Sequence, residues 1–359
     1  MKNCKNLLTG FLTVLTLMTL NSCTKDSATP NANAPTTPTG QDVYIAGYEF
    51  NTSTQKNNAT YWKNGIAIPL PVADESLNTK AFGICVVGPD VYVCGHAIGL
   101  TTEFALYWKN GVPVYLTDGM PSHTTTGIVV VGSDVYVSGI ATNPSGTYVP
   151  TYWKNGIATY LPTNYSGPGL LGLSTGIAVS GNAIYVSGFE ALNSSGTNYA
   201  INAKYWRNGV VTNLTNYTIN NRVYAHDIAI AGNDVFVAGS LDYRAVYWRN
   251  GVVTTLSGTS SNSAAISLVG SDVYVFGDEQ TAGTSNAVYW KNGISTNLSN
   301  GSSFDGIVDG AVVGSDVFAI GGSSVSWGGV STAKYWKNTT ETIIGGSGTV
   351  LTSIFVSTN

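Results

Sequence analysis

The chain has 359 residues, of which only 10% are Asp, Glu, Lys or Arg, whereas 42 are Gly, 21 are Tyr and 8 are Trp. An average soluble domain is about one quarter charged, so this composition excludes a charged coiled coil and a charge-rich disordered protein. The net charge is −4 and there is no run of basic residues. Nucleic acid is therefore not expected as a partner, because phosphates require clustered cations.

Residues 1–22 are predicted to be a signal peptide. Lys2 and Lys5 precede an apolar stretch at 7–20, which is too short to span a bilayer as a folded helix. Residues 20–23, Leu-Asn-Ser-Cys, resemble the lipobox of bacterial lipoproteins. That resemblance implies acylation of Cys23, palmitate included, and a lipid anchor in the outer membrane. The alternative is an ordinary secretory signal with an incidental cysteine.

Residues 23–40 are predicted to be a flexible linker between the lipid and a folded domain. They are rich in Pro, Thr, Asn and Ala, without periodicity, which is typical of an extended stalk. Lys25 and Asp26, directly after the cysteine, resemble the surface-export signal of lipoproteins in the Bacteroidota. The resemblance implies exposure at the cell surface.

From residue 41 to 359 one unit recurs seven times, marked by a Tyr-Trp pair. The spacings between pairs are 46, 45, 53, 42, 42 and 46 residues, the range of a four-stranded propeller blade or a kelch-type unit. Lys or Arg and then Asn follow each Trp, and Gly follows in six copies. Asn-Gly between extended segments predicts a hairpin, because a type I′ turn needs positive φ at both central residues. We name the two strands of this hairpin c and d.

A second hairpin, of strands a and b, precedes each Tyr-Trp unit. Strand b reads Val-Tyr-Val or a close variant and reaches Gly two residues later. These strand-b glycines are Gly47, Gly95, Gly139, Gly188, Gly239, Gly277 and Gly321. Alternating β-branched and aromatic residues favour a strand buried on both faces. No segment has a convincing helical period.

Four strands in each of seven units predict an all-β fold, a seven-bladed β-propeller. The first unit begins at strand b, while residues 353–356 form an extra strand of type a. We therefore expect the C-terminal strand to complete the first blade and close the ring, whereas an open solenoid would need polar caps.

The repeats resemble kelch and galactose-oxidase-type blades and the extracellular HAF repeats, whose hairpins read aromatic-Trp-x-Asn-Gly. The resemblance covers residues 41–359. Of the kelch-type Gly-Gly pair after strand b, only Gly321-Gly322 is present. The likeness therefore implies a fold and does not assign an activity.

Cys85 and Cys94 lie on strands a and b of one hairpin. A disulfide between them is one interpretation, since the compartment is oxidising. Small buried thiols are the other interpretation, and direct apposition would require a two-residue turn at Pro89-Asp90. Two cysteines without a histidine cluster do not predict a metal site, and no cofactor is expected.

The b–c and d–a connections differ between units and emerge at one end of an antiparallel meander, whereas the a–b and c–d turns are nearly identical. Variable loops on a rigid frame commonly carry recognition. We therefore expect any ligand over a central funnel at this end. The candidate ligand-binding residues are Tyr48, Glu49, His96, Glu190, Tyr224, His226, Asp227, Glu279 and Trp327.

Three functions remain open from the sequence. The first is a lipid-anchored binding module for an extracellular glycan or protein, expected to be monomeric. The second is a propeller enzyme, a glycan hydrolase or lyase that uses carboxylates of the funnel. The third is a structural or adhesion protein without a small-molecule pocket. Among these three functions, only the enzyme requires acidic side chains that converge in the funnel.

Overall fold

The computed structural model describes residues 40–119, 123–163, 171–193, 199–215, 222–281, 283–324 and 331–358. Within these ranges the regular structure is entirely β-strand. No helix long and apolar enough to cross a membrane occurs in this part of the chain.

The strands of the described residues, in chain order, are β1 (Gln41–Asn51), β2 (Lys56–Lys63), β3 (Ile66–Pro69), β4 (Asn78–Val87), β5 (Asp90–Ile98), β6 (Glu103–Lys109), β7 (Val112–Tyr115), β8 (Thr124–Val131), β9 (Asp134–Thr142), β10 (Tyr148–Lys154), β11 (Ile157–Tyr160), β12 (Leu171–Ser180), β13 (Ala183–Asn193), β14 (Tyr199–Arg207), β15 (Val210–Asn213), β16 (Val223–Ala231), β17 (Asp234–Leu241), β18 (Arg244–Arg249), β19 (Val252–Thr255), β20 (Ser261–Val269), β21 (Asp272–Thr281), β22 (Thr284–Lys291), β23 (Ile294–Asn297), β24 (Phe304–Val313), β25 (Asp316–Ser324), β26 (Thr332–Lys337), β27 (Thr340–Gly345) and β28 (Thr349–Thr358).

The strands pair as antiparallel meanders, each strand with its neighbour in the chain. Five sheets of four strands have the orders β28-β1-β2-β3, β4 to β7, β8 to β11, β12 to β15 and β16 to β19. Strands β20 to β27 form a sheet of eight, in which one parallel pair, Ser285 with Phe304, joins β22 to β24. The predicted a-b-c-d order is confirmed, and β28 pairs with β1 along its length.

The strands of type a pack against one another in succession. These strands are β4, β8, β12, β16, β20, β24 and β28, and each contacts the next in this order, while β28 also contacts β4. Four-stranded meanders packed face to face through their first strands form the architecture of a β-propeller.

The c–d turns have the predicted type I′ geometry. Asn64 has φ 50° and Gly65 has φ 80°, and the other Asn-Gly pairs have similar values. The Asn64 side chain adds a second link, since its Oδ1 accepts the Val43 N–H at 2.9 Å and its Nδ2 donates to Asp42 at 2.8 Å. Both hairpins of a sheet are thereby joined at this end.

Tryptophans of the c strands fill the space between sheets. Six of them are less than 2% exposed, namely Trp108, Trp153, Trp206, Trp248, Trp290 and Trp336. The Trp108 indole N–H donates to the carbonyl of Pro71 in the preceding sheet at 2.7 Å, and Trp206 does the same to Pro162 at 2.8 Å. These two indoles therefore bond their sheets to the connection that follows the preceding sheet, whereas Trp290 Nε1 and Trp336 Nε1 have no hydrogen-bond partner among the described residues.

Every a strand has a β-bulge opposite the strand-b glycine, and the bulge region bonds to the following sheet. Thr175 and Thr352 donate their hydroxyls to the carbonyls of Ala225 and Ala81, both at 3.0 Å. The residue after the bulge is Asp227 in β16, and its Oδ2 accepts the N–H of Ile266 at 2.9 Å. These bonds join adjacent sheets at their innermost strands.

The turn at Pro89-Asp90 that direct apposition of the two cysteines would require is not present. Val87 pairs with Asp90, so the turn lies at Gly88-Pro89, and Cys85 lies opposite Tyr92 while Cys94 lies opposite Gly83. Both cysteines are buried, on the same face and one pair apart. A disulfide between them stays a prediction.

Candidate functional site

One set of residues, many of them polar or aromatic, lies where strands a and b approach the b–c and d–a connections. We call this set the inner rim. On strand b it consists of the residues directly after the strand-b glycines, Tyr48, His96, Ile140, Phe189, Ser240, Asp278 and Gly322. Their partners on strand a are Val350, Lys80, Thr124, Leu173, Tyr224, Asn262 and Gly306.

Adjacent sheets meet at the inner rim through side chains. The Lys80 ammonium lies 5.0 Å from the centre of the Tyr48 ring of the preceding sheet. The His96 Nδ1 lies 3.2 Å from Thr124 Oγ1 of the following sheet. The rim is therefore a continuous surface across these sheets.

A second group of rim contacts is aromatic. Phe189 packs edge-on against Tyr224 of the following sheet, with ring centres 4.9 Å apart. Tyr224 is stacked with His226, at 6.0 Å between ring centres. Both tyrosines at the rim, Tyr48 and Tyr224, are only partly buried, so their rings are partly open to solvent.

Asp278 is a carboxyl group of the rim whose pKa lies close to neutral pH. Burial raises the pKa of its carboxyl to about 7, because an ionised carboxylate loses hydration there. It lies opposite Asn262 on β20 and remains partly exposed. A partly exposed carboxyl that holds its proton near neutral pH can donate it to a bound molecule.

Burial also lowers the pKa of basic groups at the rim and of His226 next to it. It lowers the pKa of Lys80, and it lowers the pKa of His96 to about 3. The pKa of His226 falls to about 4 for the same reason. Perturbed groups concentrated at one surface are a recognised mark of functional sites.

His226 occupies the bulge position of β16 and is 8% exposed. Its Nδ1 is hydrogen-bonded to the carbonyl of Ser263 in the following sheet. Thr175, at the equivalent bulge position of β12, donates its hydroxyl to the carbonyl of Ala225 in the same way. Asp227 is fully buried and accepts N–H groups of Ile228 and Ile266. Both residues therefore join sheets, and their assignment to a ligand stays a prediction.

The three glutamates whose convergence the enzyme hypothesis would require, and which could instead be solvated loop charges, have separate surroundings. Glu190 forms a fully buried ion pair with Lys204 of the adjacent strand at 2.5 Å. Glu279 accepts a hydrogen bond from Ser295 on the outer strand of its sheet at 3.2 Å. Glu49 is partly buried, and this raises the pKa of its carboxyl. Their role in binding a ligand stays a prediction, as does that of Tyr48, His96 and Tyr224.

Trp327 and Cys23 lie outside the described residues. Within those residues, no group of three or more His, Cys, Asp or Glu side chains is placed to hold a metal ion.

Asp278 and Lys80 were missed by the sequence analysis, although a signal was present. The acidic candidates of the sequence, Glu49, Glu190 and Glu279, lie two residues after the strand-b glycine. Neighbouring residues of a strand point to opposite faces, so the residue one position earlier belongs to the rim. In the sixth unit that residue is Asp278.

No protein-family model matches the chain. No curated protein matches it either. The comparison with solved structures finds similar folds at low sequence identity.

The chain is similar to the structure of a puromycin-hydrolyzing peptidase of Mycobacterium tuberculosis. The TM-score is 0.57 at 10% identity, over 88% of this chain and 52% of the peptidase. This chain therefore spans about half the length of that protein. Two weaker likenesses are to the propeller domain of the Trilobed protease of Pyrococcus furiosus, with a TM-score of 0.49, 10% identity and coverage of 87% and 96%, and to an acylaminoacyl peptidase of Pyrococcus horikoshii, with 0.46, 11%, 85% and 51%.

These comparisons correct the first functional interpretation. The sequence favoured a binding module for glycan or protein, whereas the fold matched at a TM-score of 0.57 is that of part of a peptidase. The interpretation as a binding module is therefore wrong, and the alternative of an enzyme-related propeller agrees better with the findings.

Proposed function

We propose that the chain is a propeller enzyme that cleaves an extracellular polymer at the inner rim, with Asp278 as the general acid. The observation that carries the proposal is the position of Asp278, partly exposed at the rim, with a carboxyl pKa of about 7. The likeness in fold to part of a hydrolytic enzyme supports it. The substrate class is a glycan, because a departing sugar oxygen needs a proton.

Other groups of the rim suit this role. The partly exposed rings of Tyr48 and Tyr224 can lie against a sugar face, since aromatic rings combine an apolar surface with a polar edge. The Lys80 ammonium over the Tyr48 ring places a cation beside the same surface. A substrate across the rim would thus contact several sheets at once.

The test is a screen of the purified full chain for cleavage of glycans, with peptides as a second arm. We expect cleavage of a glycan and a rate loss of about a hundredfold or more in Asp278→Asn, in the range of general acid catalysis. The rate should fall as the pH rises above about 7, because the acid must hold its proton.

The matched control is Asp272→Asn in the same strand. Asp272 pairs with Lys291 at 2.9 Å near the c–d turn, so its loss should leave the rate unchanged. Equal rates for Asp278→Asn and the wild type, or cleavage of peptides alone, would contradict the proposal.

The proposed architecture is a ring of seven blades closed by the C-terminal strand. It is supported by the pairing of β28 with β1 and by the contacts of β28 with both β24 and β4. The eight-stranded sheet counts as two blades, because a single residue pair joins its halves. Removal of residues 349–359 should expose the edge of β1 and give insoluble protein; a truncated chain that melts like the full one would refute closure.

The proposed location is the outer membrane, through a lipid on Cys23, with the domain at the cell surface. The basis is the lipobox-like segment at 20–23 and the Lys25-Asp26 pair. Replacement of Cys23 by Ser should move the protein from the membrane fraction to a soluble or unprocessed form. Unchanged membrane association would exclude this anchor.

A further inference from the structure

A cavity of about 650 Å³ lies between the sheet β4–β7 and the sheet β8–β11, and none of its lining residues belongs to the inner rim. One wall is formed by Tyr115 at the end of β7 and by Asp118 in the connection that follows. The other wall is formed by Tyr160 at the end of β11. The volume lies within the range of small-molecule sites, about 300–1,000 Å³.

The cavity contains a buried histidine whose hydrogen bonds are not satisfied. His123 lines it and is 4% exposed. Neither Nδ1 nor Nε2 has a hydrogen-bond partner among the described residues. A buried polar group without a partner is costly, by about 1–3 kcal/mol, so such a group in a cavity points to a ligand that supplies the partner.

Comparison with the preceding junction explains why His123 has no partner there. At the junction of the first two sheets, Thr79 of β4 occupies the equivalent position, two residues before the register shift of strand a, and accepts the Ala59 N–H at 2.8 Å. At the next junction, the equivalent Ala105 N–H is bonded instead to Thr117 Oγ1 at 3.0 Å. Thr117 thus performs the task of Thr79, and the His123 ring is left to the cavity.

The two tyrosines are specific to this junction. Tyr115 and Tyr160 end their outer strands, where the other sheets have Pro69, Asn213, Thr255 and Asn297. They are 40% and 41% exposed, although they border a cavity. Tyr115 is held edge-on against Phe104, with ring centres 5.3 Å apart.

A rigid turn completes the wall on the side of β9 and β10. Asn143 Oδ1 accepts the N–H groups of Ser145 and Thr147, both at 3.0 Å. Asn143 and Gly146 line the cavity. The opening is therefore bounded by a turn that is already fixed by its own hydrogen bonds.

The charge of the lining decides the class of ligand. Asp118 is the single acidic side chain among the lining residues, which include no Lys or Arg. Burial lowers the pKa of His123, so its ring is neutral at pH 7 and offers a nitrogen lone pair. An anionic carboxylate, a neutral acceptor and two tyrosine faces form a site for a cation.

We propose that this cavity binds an organic cation, a guanidinium or alkylammonium group, with Asp118 as its counter-ion, His123 as an acceptor and Tyr115 and Tyr160 as aromatic walls. The site shares no residue with the inner rim, although His123 and Ala141 are chain neighbours of the rim residues Thr124 and Ile140. Its occupant can be free or part of a peptide, because the side chain of arginine or lysine carries the required group.

The test is calorimetric titration of the full chain with N-acetyl-arginine amide and with N-acetyl-citrulline amide. The two probes have nearly the same shape and differ in the side-chain charge. We expect the arginine probe to bind more tightly by about tenfold or more, as for a charged hydrogen-bonded pair. Asp118→Asn should abolish this preference, and Tyr160→Leu should weaken the arginine probe several-fold.

Two controls keep the test decisive. Asp134→Asn removes a carboxylate from the same pair of sheets, but from the turn end, where it pairs with Lys154 at 2.8 Å; it should leave binding unchanged. Binding of the arginine probe should also weaken in acid, at a pH below the ordinary histidine range, where His123 takes up a proton. Equal affinity for both probes, no measurable binding, or a preference that survives Asp118→Asn in a variant with an unchanged melting temperature would overturn the proposal.

Discussion

Gly239 lies directly beneath the indole of Trp248, which leaves no room for a side chain at position 239. A Cβ atom added to Gly239 would lie 2.7 Å from Trp248 Cζ3 and 2.0 Å from the carbonyl oxygen of Tyr224. Gly95, Gly139 and Gly188 have the same relationship with Trp108, Trp153 and Trp206. The strand-b glycine is therefore required by the Trp of the adjacent strand and by the bulge of strand a.

Replacement of Gly239 by Ala should lower the free energy of unfolding by about 1–3 kcal/mol, because the added methyl group overfills a packed interior. Gly258→Ala is the matched control, since no atom lies within 4 Å of its added Cβ and its φ is not positive. Urea denaturation of both variants measures the difference. A loss that is equal in the two variants would contradict this account of the glycine.

Replacement of Ala183 by Asp should stabilise the protein. In the other units an Asp at the start of strand b accepts the Asn side chain of the c–d turn, as Asp234 does from Asn250 at 2.7 Å, and pairs with Lys or Arg. The fourth unit has Ala183 there, although Arg207 and Asn208 are in place. The gain should be within about 1 kcal/mol, since exposed ion pairs contribute little.

The readout for Ala183→Asp is the denaturation midpoint at low and high salt. The gain should shrink at high salt, because salt screens an exposed pair. Introduction of Asn208→Ala should remove most of the gain. A stabilisation that persists in the double variant would show that the proposed contact is not its source.

Replacement of Lys204 by Met should destabilise the protein by about 3–5 kcal/mol. Lys204 and Glu190 are both 0% exposed, so loss of the lysine leaves a buried carboxylate without its counter-charge. Addition of Glu190→Gln should recover a large part of the loss, because the remaining charge is then removed. Lys291→Met is the surface control, with a side chain that is 47% exposed, and its loss of stability should be far smaller, since exposed ion pairs contribute little.

His226 should make the protein less stable in acid. Its pKa in the folded state is about 4, below the ordinary value of 6.5, so below pH 6.5 the unfolded chain takes up a proton that the folded chain does not. The free energy of unfolding therefore falls as the pH decreases from about 6.5 to about 4. His226→Thr tests this, because Thr175 and Thr352 occupy the equivalent position and keep the hydrogen bond to the next sheet.

The measurement is the difference in unfolding free energy between wild type and His226→Thr at a series of pH values. It should be constant above about pH 7 and should shift in favour of the variant as the pH falls towards about 4. Thr175→Val removes a similar bond without a titrating group, so its difference from wild type should not depend on pH. A pH-independent difference for His226→Thr would exclude the histidine as the cause.

The sequence alone determined the elements and their order. Asn-Gly after each Trp specified the c–d turns, and the positive φ of Asn64 and Gly65 follows from that local chemistry. The extra strand at the C-terminus predicted the partner of β1. The turns depend on residues close together in the chain, whereas the pairing of β28 with β1 could be predicted because the seven repeats show which strand the first unit lacks.

Only the tertiary structure decided which side chains form a site. The bulge between Ala225 and Asp227 changes the alternation of β16, so the pattern of the sequence does not tell which face Asp227 occupies. Asp278 lies at the rim whereas its neighbour Glu279 bonds to the outer strand, because adjacent residues of a strand face opposite ways. The place of His123 in a cavity depends on Thr117, which bonds to the Ala105 N–H, and on the second sheet that lines the cavity. Contacts between sheets join residues that are distant in the chain, and packing rather than local propensity selects them.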